Sequence, residues 1–283
     1  MSEFDAWIGR ETIASDTLDP SLASRWLATF NLPSISVGAM PQGIHFALCT
    51  PDAATNALGD DGHPARDNSP DSFLPPFPMA RRMWASSKIS FLAPIAIGAA
   101  ITRTSRIASI NEKEGSSGKL AFVNIVHETR CGEKLCVSET QTVVYRDAAA
   151  PDAQLSPPAL RDSKFDPASW DVHRSITPDT RLLFRYSALT FNTHRIHYDA
   201  PYTSDVERYR GLVVHGPLTA SLLLQLAASE FGDNALTSFE FRGASPAIAN
   251  EPLHLVLRPN EDGYELGAFA NDGRQVTKAR ATA

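Results

Sequence analysis

The chain has 283 residues, enough for one large domain or two of about 140 each. Its 43% hydrophobic and 20% charged residues are those of an ordinary folded protein. Its 26 Lys and Arg against 32 Asp and Glu give a net charge of -6, which argues against nucleic acid as a partner, since phosphate neutralisation needs a basic face. No apolar run reaches the ~20 residues that span a bilayer, so no membrane partner is expected.

In chain order, Met1-Ser2-Glu3-Phe4-Asp5 is acidic and lacks a signal-peptide pattern, so a cytoplasmic protein is expected. Asp19 and Pro20 are a good N-cap and first helical residue for a helix over 21–30, with Leu22, Trp26 and Phe30 on one face. Residues 44–50 read as a strand. Residues 51–80 are rich in Pro, Asp, Asn and Gly and are too long for an idle connection. Strands follow over 87–92, 99–110, 119–129 and 134–146, and the apolar run 92–101 reads as sheet. Reversals fall at Gly115-Ser116-Ser117-Gly118 and at 130–133. Cys131 and Cys136 flank what looks like a hairpin end; with no second pair to complete a zinc site, free thiols are expected. Residues 147–169, with Pro151, Pro157, Pro158 and Pro167, form a linker or strap.

The second half repeats the first in order. Phe91, Pro94, Gly98 and Ile101 are matched by Phe241, Pro246, Asn250 and Leu253, and Gly132 before the last strand of one half by Gly273 in the other. A helix precedes each repeat, 21–30 and 217–231. The later one carries Leu218, Leu222, Leu226 and Ser229 on one face, widened by Leu223, Ala227 and Ala228, and so reads as buried all round. One helix and one curved antiparallel sheet, present twice, is the pattern of two tandem hotdog units, an α+β fold.

Two stretches carry candidate chemistry. The first holds Asn192, His194, His197 and Asp199. Its histidines have three open readings: structural residues with satisfied bonds, a metal site with Asp199 and His215 that lacks a known ligand spacing, or acid–base work by His197 with Asn192 placing a water. In the second, Gly216 and Pro217 open the buried helix after His215. A helix N-terminus offers free N–H groups and a positive field to a developing oxyanion. Pro217 has no N–H, so Gly216 and Leu218 are the donors available.

Together these stretches resemble the MaoC-type hotdog hydratases and dehydratases, which act on acyl thioesters. That family carries N-P-I-H-x-D and a later I-A-H-G; this sequence has His194-Arg195-Ile196-His197-Tyr198-Asp199 and Val214-His215-Gly216. The resemblance places the catalytic histidine on His197 and the family's aspartate on Asn192, a departure, since an amide cannot accept a proton. The string from Ser187 to Asn192, with Arg195 to Asp199, is similar to mitochondrial hydroxyacyl-thioester dehydratases and to bacterial mesaconyl-C4-CoA and itaconyl-CoA hydratases. Leu58-Gly59 to His63-Pro64, Phe73-Leu74-Pro75-Pro76, Arg81-Arg82-Met83-Trp84-Ala85 and Glu139 to Arg146 resemble the N-terminal domain of the bacterial subgroup.

The resemblance implies a catalytic set of His197, Asn192 and Gly216: a base with an ordinary pKa near 6.5, a water-orienting amide and an oxyanion donor. It implies an acyl-CoA thioester as substrate and neither metal nor cofactor. Arg195, Arg210, His215 and Leu218 are the expected substrate-binding residues. A free substrate carboxylate calls for an arginine fork, with Arg195 and Arg210 ranked above Arg185 and with Arg81 and Arg82 as first-half candidates. The expected organisation is an N-terminal tunnel-forming unit, 1–150, a linker, 151–170, and a catalytic unit, 171–283, with residues 51–80 folding over the acyl pocket. Homodimers follow by fold analogy. A lipid-synthesis dehydratase and a non-catalytic acyl-CoA binder are the competing functions.

Overall fold

The computed structural model describes residues 3–115 and 118–283; the reversal expected at Ser116 and Ser117 lies outside them. Ten strands form one antiparallel sheet: β1 (Glu11–Thr17), β2 (Arg81–Phe91), β3 (Ala100–Gly115), β4 (Gly118–Cys131), β5 (Lys134–Arg146), β6 (Val172–Ile176), β7 (Ser238–Gly243), β8 (Leu253–Asn260), β9 (Gly263–Ala270) and β10 (Gln275–Thr282). Among the described residues four α-helices accompany them: α1 (Pro20–Thr29), α2 (Thr180–Leu189), α3 (Ala200–Asp205) and α4 (Gly216–Phe231). The spatial order β1-β3-β4-β5-β2-β7-β10-β9-β8-β6 reads the same from either edge. β2 and β7 meet at the centre, with Lys88 opposite Glu240.

The repeat is visible in the backbone. Gly98 and Asn250 both adopt left-handed φ, +87° and +66°, one turn before β3 and β8. Ile101 and Leu253, three residues further, are buried. Gly132 and Gly273 both turn hairpins at positive φ. Cys131 and Cys136 flank the first of these hairpins as free thiols, with the buried Cys136 Sγ 2.9 Å from the Cys131 Sγ.

Helix α1 starts where its cap dictates: the Asp19 carboxylate accepts from the Ser21 and Leu22 N–H groups. Trp26, Leu27 and Phe30 turn inward. α4 is enclosed as its all-round apolar surface requires, with Leu218, Leu222, Leu223, Leu224 and Leu226 buried. Those five side chains stabilise the fold by on the order of 10 kcal/mol. α4 packs on β8, β9 and β10.

The helix pairing differs from expectation. Both α1 and α2 follow an edge strand and start at an aspartate cap, Asp19 and Asp179, so α2 is the counterpart of α1. The counterpart of α4 in the first half follows Met40, whose N–H bonds the Ile95 carbonyl as Val214 bonds Ala247. There the chain makes only a 3-10 turn, Ile44–Ala47. The strand expected over 44–50 is therefore absent. Gly43, at φ +101°, bends the chain against Leu224 and Trp26 of the helices, and a short apolar run in a fully packed place needs no sheet partner. Most of the run 92–101 is a connection between β2 and β3, bent by Pro94 and Gly98.

Residues 51–80 are ordered. Phe77 and Met79 pack with Tyr145, Val143 and Ile107 in a second core cluster, and Arg66 donates to the Phe77 and Ala80 carbonyls. The strap after β5 is tied to the second half. Ser156 pairs with the strand-like turn at Tyr209, and Arg208 and Arg210 bond the Ala153 and Pro158 carbonyls.

Candidate active site

Helix α2 ends with Phe191 in the left-handed region, φ +47°, and this turn launches the segment 192–199. His197 closes a 3-10 turn, Arg195–His197, and is buried. Its Nδ1 lies 2.7 Å from the Val213 carbonyl. A carbonyl only accepts, so Nδ1 carries the proton and Nε2 keeps the free lone pair. The ring stacks on His215, with centroids 3.5 Å apart and planes 21° apart. Burial, with a smaller push from His194, drives the His197 imidazole down to about 3, far below the ordinary value expected of it. The ring is therefore neutral across the physiological range.

His215 is the residue before α4 and is buried. Its Nε2 lies 2.9 Å from Ser187 Oγ, and its buried Nδ1 has no protein partner. Burial, then His197, hold it well below its ordinary pKa. At Gly216 an added Cβ would meet nothing within 4 Å, so the space at the start of α4 is open. The Leu218 side chain is wholly inside the core and does not face that space. This packing leaves its backbone N–H as the group that the expected substrate contact would use. Asn192 Oδ1 accepts from the His194 N–H at 2.9 Å, which leaves the amide nitrogen for other work.

The two expected arginines have no free fork. Arg195 gives Nε and Nη2 to Asp199 and Nη1 to the Asp60 carbonyl. Arg210 holds both carboxylate oxygens of Glu251 and the Pro158 carbonyl. These pairs occupy the guanidinium edges that the expected grip on a substrate carboxylate would need. Asp199, bonded to Arg195, also caps α3 at the Tyr202 N–H, which removes it from the metal reading. Arg185 lines an open cleft of about 1260 Å³ between α1, α2 and α4, and none of His197, Asn192 or His215 borders that cleft.

Sequence reasoning missed part of the site. The turn 59–63 of the first half clasps the segment 193–195: Thr193 Oγ1 donates to the Gly62 carbonyl, and the Arg195 N–H to the Asp61 carbonyl at 2.9 Å. His63 thereby lies against His194, ring centroids 4.0 Å apart, and His194 stands edge-on to His197 at 5.5 Å. Asp61 accepts from both the backbone N–H and Nδ1 of His63, each at 2.9 Å. Burial opposes ionisation of Asp61, yet these bonds hold its carboxyl down to about 2. Burial and then His63 push His194 down to about 3. One ligand atom each of Asp61, His63 and His194 falls within 4.8 Å of the others, but the Asp61 oxygens are already bonded to His63. The stretch from Leu58 to Pro64 stood out by resemblance, but nothing local says that it docks on a segment 131 residues away.

The candidate site joins a neutral buried imidazole with a free Nε2 to an open helix N-terminus in a symmetric ten-stranded sheet, and the relatives that this chain resembles along most of its length are hydratases and dehydratases, which makes it a hydro-lyase of double-hotdog build. The profile of the hydroxyacyl-thioester dehydratase type 2 family (Htd2) matches residues 43–249, and the chain belongs to that family. It is 40% identical over 284 aligned residues to the mesaconyl-C(4)-CoA hydratase of Chloroflexus aurantiacus, covering 99% of this chain and 98% of the relative. Among solved structures it resembles a MaoC-like dehydratase from Phytophthora capsici, at TM-score 0.72 and 12% identity over 99% of this chain and 98% of that one. It also resembles a conserved Mycobacterium tuberculosis protein with a double hotdog fold, at TM-score 0.54 and 14% identity, covering 97% and 95%. At those identities the solved structures speak to the fold alone, and they agree with the expected tandem hotdog architecture. No helix among the described residues is long and apolar enough to cross a membrane.

Proposed function

We propose that the protein hydrates a short branched dicarboxylic enoyl-CoA, mesaconyl-C4-CoA or itaconyl-CoA, giving citramalyl-CoA. The observation that carries this reading is the 40% identity, end to end, to the Chloroflexus hydratase. His197 Nε2 takes a proton from water as oxygen bonds to the β-carbon. The π electrons move toward the thioester oxygen, whose charge faces the Gly216 N–H at the start of α4. One such donor is commonly worth about 3 kcal/mol. The enolate forming beside His197 raises its proton affinity as the proton arrives, which offsets the low resting pKa. The proton then passes to the α-carbon. Asn192 orients the water through its amide nitrogen. Residues 1–150 form the tunnel-side unit, 151–170 the linker and 171–283 the catalytic unit; the enzyme works in the cytoplasm, as a homodimer.

The test follows the loss of enoyl-thioester absorbance on mesaconyl-C4-CoA, itaconyl-CoA and a long-chain trans-2-enoyl-CoA. Turnover confined to the dicarboxylic esters is expected. The family match favours one second reading, a dehydratase of 3-hydroxyacyl thioesters in lipid synthesis. Turnover of the long-chain ester alone would establish it, and silence on all three would leave an acyl-CoA binder.

A further inference from the structure

In mesaconyl-C4-CoA the free carboxylate is attached to the carbon that water attacks. Its receptor must therefore stand roughly 4–5 Å from that carbon, one carbon–carbon bond and one hydrogen bond away. Around His197, Val213 occupies Nδ1, His215 covers one face and His194 meets the edge, with His63 behind it. On that side the first half's turn 59–63 packs against the segment 193–195, which brings first-half side chains next to His194.

The arginines there divide cleanly. Arg81 is held by the Glu207 carboxylate at 2.7 Å. Arg66 spends both terminal nitrogens on the Phe77 and Ala80 carbonyls. Arg82 lies opposite Tyr145 on β5, and its charge acts on the Tyr145 hydroxyl. Burial keeps that phenol neutral, so it does not balance the guanidinium. Among the described residues no carboxylate pairs with Arg82. With Asp61, His63, Arg66 and Tyr202 it lines a cavity of about 280 Å³. His197 does not border that cavity; the link to it runs through His63, whose ring lies 4.0 Å from His194, which in turn stands 5.5 Å from His197, and the Arg82 charge reaches His194. Asp61 does not compete for it, because both its oxygens are turned to His63.

We infer that Arg82, with His63 beside it, is the receptor for the free carboxylate of a dicarboxylic acyl thioester. The first half then selects the substrate and the second half performs the chemistry. A planar fork suits a carboxylate better than a point charge does, and a partly enclosed guanidinium without a counter-ion is ready to take one.

This inference rests on the hydratase reading, so its test separates the two. Inhibition constants of succinyl-CoA and butyryl-CoA, saturated esters of equal chain length, are compared in wild type and Arg82→Met. The succinyl-CoA constant should rise about 30-fold or more and the butyryl-CoA constant less than about threefold, the loss of one charge-assisted pair. Arg82→Lys should fall between. Equal weakening of both esters, or of neither, would overturn the assignment, as would a wild type that does not prefer succinyl-CoA. If Arg82→Met does not fold, the same two constants are read on Arg82→Gln. A wild type that prefers succinyl-CoA yet fails to hydrate mesaconyl-C4-CoA would refute the proposed reaction while leaving the receptor standing.

Discussion

Replacing Gly62 by alanine should unfasten the turn that closes the site. An ideal Cβ there would lie 1.9 Å from the Thr193 carbonyl oxygen, a backbone atom that cannot swing aside, and the glycine sits at φ +86°. The turn must retreat by more than about 1 Å to reach the shortest contact real Cβ atoms show. That retreat breaks the Thr193 bond to Gly62 and the two Arg195 bonds to Asp61 and Asp60. At about 1 kcal/mol for each bond and about 1 kcal/mol for left-handed strain, the clasp loses roughly 4 kcal/mol. The damage is local, so it is read by protease nicking and hydrogen exchange of residues 59–63 together with kcat/KM. Faster exchange and a kcat/KM lower by about a hundredfold are expected, the scale of a 1 Å misplacement near a reacting centre. Gly59→Ala is the control. Its Cβ would come no closer than 3.4 Å to Asp61, at an ordinary φ, and should change little. Wild-type exchange and activity in Gly62→Ala would refute the reasoning.

Four further outcomes can be checked. His197→Gln should lower kcat by about 10² to 10⁴, the usual worth of a general base; turnover that survives intact would remove His197 from the chemistry. Because the ring stays neutral, wild-type kcat/KM should show no inflection near 6.5 between pH 6 and 8, and a histidine-like acid limb there would contradict the buried base. Burial lowers His45, His194 and His197 to about 3 and His127 to about 4, while the unfolded chain takes up these protons near 6.5. The unfolded state thus binds more protons below pH 6.5, and stability, full above that value, is lost as pH falls toward 3, by about 1.4 kcal/mol per pH unit for each ring. Urea midpoints should drop between pH 7.5 and 5, and a constant midpoint would show that the rings are not buried neutral. Gly216→Ala meets no protein atom, so its melting temperature should hold; the N–H is kept, but the added Cβ stands in the open space and should crowd the thioester, lowering kcat/KM about tenfold or more; unchanged activity would move the thioester away from α4.

Local chemistry determined much of this protein by itself. Alternation and turn residues located β2 to β5, Asp19 with Pro20 started α1, and the leucine-rich surface of α4 required burial on every side. The same was true of the positive-φ positions that mark the repeat, Gly98 with Asn250 and Gly132 with Gly273. His197 and Gly216 stood out as candidates because each belongs to a short stretch that resembles a family motif. The edge strands β1 and β6 left little trace, since five residues of β1 in a row are exposed and carry no buried face to set a period. The 44–50 segment became a turn because Gly43 and the packed underside of α4 fixed its path, which no window of apolar residues encodes. The partners of the arginines were hidden for a related reason. A guanidinium is free or spent according to which carboxylate folds against it, and Glu251, Asp199 and Glu207 are brought there by the chain's path. Likewise Asp61 and His63 reach His194 only because the sheet carries one half's loop onto the other half's site, a contact of two distant segments that exists in the tertiary structure alone.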